Sequence, residues 1–130
     1  MIVQKHYHFY AAHRNKSAGE KCARIHGHTY DVDCFFKFEK QQESGVTMLF
    51  SEIDAIVEPI IKANDHYLLL YEKDSLCRIL SLASEPFKSL SFETSAENLA
   101  QWLFNEIAKQ LPIVKIELAE TKTSKIIYEG

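Results

Sequence analysis

Apolar and polar positions alternate with period two in the N-terminal third of the chain and recur with helical spacing further on. Residues 2–13, IVQKHYHFYAAH, are rich in aromatic and β-branched side chains and predict a strand. From His26 to about Phe38 the even positions are His26, His28, Tyr30, Val32, Cys34, Phe36 and Phe38; the odd ones include Thr29, Asp31, Asp33 and Lys37. One face of this second strand is therefore covered and the other meets water. The polar, Gly-containing segment 14–21 is a loop between the two, and EKQQESG at 39–45 turns the chain.

Helical spacing takes over at Ser51. That residue can cap a helix over 51–64, in which Ile53, Ile56, Val57, Ile60 and Ile61 follow the helical repeat. Pro59 counts against an unbroken helix, because it removes a hydrogen bond and crowds the preceding turn. A short second helix fits 74–82. Thr94 and Glu97 fit a capping box ahead of a stripe made by Leu99, Leu103 and Ile107. Strands at 113–120 and 124–129 end the pattern. Paired strands with the helices set apart predict an α+β fold built on an antiparallel sheet.

The 130 residues suit one domain, 1–130, of ordinary globular composition, 46% apolar and 25% charged. Fifteen basic and 18 acidic side chains give a net charge of −3 with no block of one sign, so a nucleic-acid or membrane-surface partner is not expected. No apolar run approaches the ~18 residues of a membrane span, and the N-terminus has no signal-type hydrophobic segment, which makes a cytoplasmic location the expectation. Cys22, Cys34 and Cys77 are odd in number and lack framework spacing, so a disulfide-stapled fold is not expected.

The histidines change the picture. Five of the six fall at positions 6, 8, 13, 26 and 28. Residues two apart on a strand point the same way, so His26 and His28 converge. A third ligand comes from whichever face of the first strand looks inward. The odd face, with Tyr7, Phe9, Ala11 and His13, is the more apolar, which selects His13 and leaves His6 and His8 solvated or interfacial. Three imidazoles without a thiolate make an open metal site, whereas adding Cys22 would close it. The competing reading is that these histidines are ordinary core or surface residues. Cys22 alone reads as a small buried hydrophobe, but Lys21 and Arg24 flank it in a polar loop, a setting that favours a thiolate.

Three further groups have chemical promise. Asp65 beside His66 can orient an imidazole, although a helix C-terminus also suits a histidine without any further role. Glu120 follows Val114, Ile116 and Leu118 on one strand face and so points to the covered side, unless the strand ends at Ala119 and the carboxylate reaches water. Glu97 is equally explained by the capping box.

FYAAHR, KCARIHGHTY, NDHYL, TSAENLA and LAETKT together resemble, in order and over nearly the whole chain, the 6-pyruvoyl-tetrahydropterin synthase and 6-carboxytetrahydropterin synthase family. The resemblance implies the tunnelling fold, a four-stranded antiparallel sheet with two main helices on one face. It implies homohexamers of two stacked trimers with sites at subunit interfaces. It makes His13, His26 and His28 ligands of Zn2+, Cys22 the catalytic base, Asp65 and His66 its partners, and Glu120 the anchor of the pterin. Ser95 and Glu97 join the substrate-binding set. The implied reaction converts 7,8-dihydroneopterin triphosphate to 6-carboxytetrahydropterin, acetaldehyde and triphosphate in queuosine-type synthesis. The alternatives are the 6-pyruvoyl product, a related dihydropterin substrate, or pterin binding without turnover. Three departures stand out: Leu70 near the usual Asn, a longer 71–93 segment, and ETSAEN in place of Asn-Pro-Thr-Ala-Glu-Asn.

Overall fold

A computed structural model describes residues 1–39 and 43–130; the middle of the expected turn at 39–45 lies outside the described residues. Strands β1 (Ile2–His13) and β2 (His26–Lys37) pair antiparallel along their full length, from Ile2 opposite Lys37 to His13 opposite His26. The odd face of β1 and the even face of β2 form the core side. Phe9, Tyr30, Val32, Cys34 and Phe36 are all buried there, and the Phe9 and Tyr30 rings stack. His6 and His8 sit on the open face, where His6 Nδ1 meets Asp33 at 2.9 Å. Period-two patterning fixed this register because a slip of one residue would expose the whole apolar set.

Helix α1 (Phe50–Lys62) buries Ile53, Val57 and Ile61; α3 (Ala96–Ala108) buries Leu99, Ala100, Leu103, Phe104 and Ile107. Each such aliphatic side chain contributes roughly 1.5–3 kcal/mol by leaving water. The helices pack on each other, α1 over β1 and α3 over β5 (Ile113–Ala119) and β6 (Lys125–Glu129). Asp54 ties α1 to β1, accepting a hydrogen bond from Tyr7 Oη at 2.8 Å beside Lys5 Nζ at 3.0 Å.

The sheet departs from the expected four antiparallel strands. Among the described residues it has six, in the order β4-β3-β1-β2-β5-β6, and it is mixed: β3 (Tyr67–Tyr71) runs parallel to β1, and β4 (Lys88–Leu90) parallel to β3. A third, short helix, α2 (Leu76–Leu82), joins these two strands and buries no residue. The apolar run YLLLY has no period-two signature because both its faces are covered, with Leu69 and Leu70 fully buried. The 71–93 segment thus carries α2 and β4, the crossover that follows β3.

Local details also differ. Helix α1 starts at Phe50, so Ser51 lies inside it; the Glu52 side chain accepts from the Leu49 N–H at 3.0 Å. Pro59 does not break the helix: it is exposed, and so is Ala55, the residue whose carbonyl it leaves without a helical N–H. The cap of α3 is Ser95, whose Oγ accepts from Asn98 N–H at 3.2 Å, and not Thr94. Helix α1 stops at Lys62, so Asp65 and His66 lie in the turn beyond it.

Candidate active site

The pairing of His13 with His26 brings the ends of β1 and β2 together and hangs the loop 14–25 over that end of the sheet. His13, His26 and His28 converge from the covered face, each offering a ring nitrogen, with all three atoms within 4.8 Å of one another. Two rings are aimed by backbone carbonyls. His13 Nδ1–H donates to Thr94 O at 2.7 Å, and His26 Nδ1–H donates to Arg24 O at 2.7 Å. A carbonyl only accepts, so each neutral ring keeps its lone pair on Nε2, facing inward. Among the described residues the buried Nε2 atoms of His13 and His28 have no hydrogen-bond partner. These two buried, unpartnered nitrogens, converging with that of His26, fit a divalent metal ion, which would engage all three. Thr94 was expected to cap a helix; its carbonyl instead orients the His13 ring. No residue type announces that role, since every residue carries a carbonyl.

Burial pushes His13 down to about 4, with the Thr94 hydrogen bond opposing and the neighbouring His26 and His28 rings adding to the fall. Burial also lowers His28, against the pull of the Glu120 carboxylate. Neutral rings are what a metal needs. In the metal-free chain a histidine with a native pKa below its ordinary 6.5 stabilises the fold fully above pH 6.5. That stability drains away as pH falls from 6.5 towards about 4, because only the unfolded chain takes up the proton. The shift corresponds to about 3 kcal/mol. Urea titrations of metal-free wild type and His13→Asn, at about pH 7 and about pH 4.5, should show the smaller acid loss in the variant. Equal losses would remove His13 as the source.

Cys22 is exposed on the loop and stands outside the cluster of ligand atoms. Its carbonyl accepts from Asn15 N–H at 2.7 Å, and Gly19, at φ 93°, makes the turn before it. The base of the loop is held by Arg14, whose Nε donates to Asp74 at 2.8 Å, and Ser17 donates to Glu93 at 3.2 Å. Both anchors, Asp74 and Glu93, belong to the 71–93 segment. A cavity of about 440 Å³ opens beneath, lined by Cys22, His13, His26, Ser95, Glu97 and Glu120 among others, a volume that suits a small heterocyclic ligand. Strand β5 ends at Ala119, yet Glu120 does not turn to bulk water: its carboxylate lies 3.7 Å from His13 Nε2 and 3.8 Å from His28 Nε2.

Asp65 and His66 are elsewhere. Asp65 accepts from Tyr10 N–H at 2.8 Å and holds His66 Nδ1 at 2.9 Å, while His66 N–H donates to Tyr10 O at 2.6 Å. The Tyr10 N–H keeps the Asp65 carboxyl below the usual carboxylate range, with His66 reinforcing it. His66 has the left-handed φ of 63°, unusual for a side chain and a form of strain that functional positions often carry. Its ring packs edge-on to Tyr10, on the open face of the sheet, and lines a second cavity with Thr29 and Tyr67. Within one chain, then, Cys22 and His66 serve different cavities.

The sequence profile described as 6-pyruvoyl tetrahydropterin synthase matches residues 2–130, and the chain belongs to that family. It is 31% identical to the 6-carboxy-5,6,7,8-tetrahydropterin synthase of Synechocystis, over 98% of this chain and 92% of that one. To the protein of the same name from Haemophilus influenzae it is 26% identical, over 98% and 97%. Among solved structures, 6-pyruvoyl tetrahydropterin synthase from Caenorhabditis elegans shares the fold with a TM-score of 0.76 at 19% identity, covering 100% of this chain and 95% of that one. An uncharacterised protein from Wolinella succinogenes does so with a TM-score of 0.82 at 17% identity, covering 100% and 98%. Among the described residues no helix is long and apolar enough to cross a membrane.

Strand parity makes a direct statement about metal content. His26→Ala or His28→Ala should abolish binding of a single ion per chain, whereas His6→Ala and Cys22→Ala should retain it. Elemental analysis of the four purified variants reads this out. Loss of metal from Cys22→Ala would make the thiol a ligand and remove it from acid–base chemistry.

Proposed function

We propose that this chain is a zinc-dependent carbon–carbon lyase of the 6-carboxytetrahydropterin synthase type. It would convert 7,8-dihydroneopterin triphosphate and water to 6-carboxytetrahydropterin, acetaldehyde and triphosphate, on the route to queuosine-type 7-deazapurines. The observation that carries the reading is the one cavity shared by two imidazoles, two carboxylates and a thiol. Two relatives bearing that enzyme's name, aligned over almost their whole length, support it.

Each group has a task suited to its chemistry. The pterin ring presents a ring N–H and an exocyclic NH₂ side by side, and the Glu120 carboxylate can accept both hydrogen bonds at once. Ser95 and Glu97 line the same cavity and would flank the ring. A zinc ion held by His13, His26 and His28 would supply Lewis acidity towards the substrate's side-chain hydroxyls, making the adjacent C–H more acidic. Cys22, as thiolate, removes that proton. His66, oriented by Asp65, handles the second proton transfer. Because Cys22 and His66 line different cavities of one chain, a site that uses both would take His66 from another copy, which agrees with the hexamer of interface sites expected for the family. Mass spectrometry of the products formed from 7,8-dihydroneopterin triphosphate by metal-replete protein tests the proposal. A pyruvoyl product would assign the other branch, and no turnover would leave a pterin-binding protein.

A further inference from the structure

We propose that the Glu120 carboxylate is itself a ligand of the metal in the pterin-free protein, and that the donor edge of the pterin draws it away. One side chain would then couple ring binding to the opening of a coordination position. This rests on the metal and anchor roles given above and adds a second role to the anchor.

The geometry of the three side chains carries it. The two carboxylate oxygens divide between two imidazoles, Oε1 at 3.7 Å from His13 Nε2 and Oε2 at 3.8 Å from His28 Nε2. Both nitrogens are buried, and neither has a hydrogen-bond partner among the described residues. His13 has already committed its N–H to Thr94, so its Nε2 meets the carboxylate as lone pair against lone pair. Such a contact is repulsive unless a cation lies between the groups. Around a tetrahedral ion with bonds of about 2.0–2.2 Å, neighbouring ligand atoms stand roughly 3.3–3.6 Å apart. The observed gaps exceed this by a few tenths of an ångström, and the imidazole nitrogens themselves spread to 4.8 Å. A contraction that brings three histidines onto one ion brings Glu120 with them.

Position in the chain explains why Glu120 is able to do this and to leave. It continues the inward parity of Ile116 and Leu118, yet it lies one residue beyond the end of β5, free of the ladder. Its side chain is 28% exposed, open to the cavity that would receive the ring. Among the described residues no lysine or arginine lies within 4.0 Å of it; Lys125 is engaged with Glu117 at 2.6 Å. An anchor waiting only for pterin would have no reason to lean on two metal-ligating nitrogens.

Chelator competition for Zn2+ in wild type, Glu120→Gln and Glu120→Ala tests the coordination half. Three imidazoles should still load one ion at saturating Zn2+, but affinity should fall at least tenfold in both variants. In the Co2+-substituted proteins the visible absorption of both variants should differ from wild type. Unsubstituted pterin, which has no side-chain hydroxyls, should shift the wild-type Co2+ band and leave the Glu120→Ala band unmoved. Weaker pterin binding with Zn2+ affinity within about twofold and an unchanged Co2+ spectrum would overturn the proposal while leaving Glu120 as the anchor. Weaker Zn2+ binding with undiminished pterin affinity would overturn the coupling and remove the anchor role too. A pterin-induced shift in Glu120→Ala would show the ring ligating the metal by itself, which also overturns it.

Discussion

Cys22→Ser is expected to lower turnover of 7,8-dihydroneopterin triphosphate by about 10²–10⁴-fold, the usual contribution of a general acid–base group. Metal and pterin should both still bind. The thiol stands apart from the ligand cluster, so the substitution leaves three imidazoles untouched. The loop keeps its shape as well, because what holds it is the Asn15 N–H on the Cys22 carbonyl, the Arg14–Asp74 pair and the Ser17–Glu93 bond. Only the acidity of the side chain changes. A free thiol has a reference pKa of ~8.5 and a hydroxyl is far weaker, so at neutral pH almost none of the serine would be in its basic form. Steady-state turnover of metal-replete wild type and variant decides the matter. Activity within about threefold of wild type, far short of the general-base range, would strip Cys22 of its role.

The parts of this protein that the sequence makes legible are those where one physical signal dominates. Strands β1 and β2 bury a single face, so alternation alone selects His13 over His6 and His8 and puts it beside His26 and His28. Strand β3 buries both faces, and a short apolar run such as YLLLY reads equally as the end of a helix. Strand β4 is only Lys88–Leu90, too short for any pattern. The parallel side of the sheet was therefore lost from the expected four-stranded arrangement. The Thr94–Glu97 spacing matched a capping box, while Ser95 one residue on won the cap and released Thr94 to hold His13. Glu120 was readable as inward-pointing from parity. That it leans on the histidines was not, since it depends on where β5 ends.

His66 shows the other limit, because under the proposed function what completes its site would lie outside the chain. Its ring sits with Tyr10 on the open face, Cys22 and the histidine cluster on the covered one, so in the proposed site a second copy would have to bridge them. Complementation turns this into a measurement. Cys22→Ser and His66→Ala should each be nearly inactive alone. With sites shared between copies, each homo-oligomer would have one intact half in every site, and never both. If the two variants are unfolded together, mixed in equal amounts and reassembled, random pairing gives about one site in four with wild-type Cys22 from one copy and wild-type His66 from another. Turnover should then rise from the 10²–10⁴-fold deficit to about a quarter of wild type. Wild type carried through the same cycle sets the scale for recovery. If both groups worked within one chain, no mixture could contain an intact site, and activity would stay at the level of the separate variants. Recovery absent from the mixture but present in refolded wild type would return His66 to the chain that carries it, and the interface reading of the site would fall.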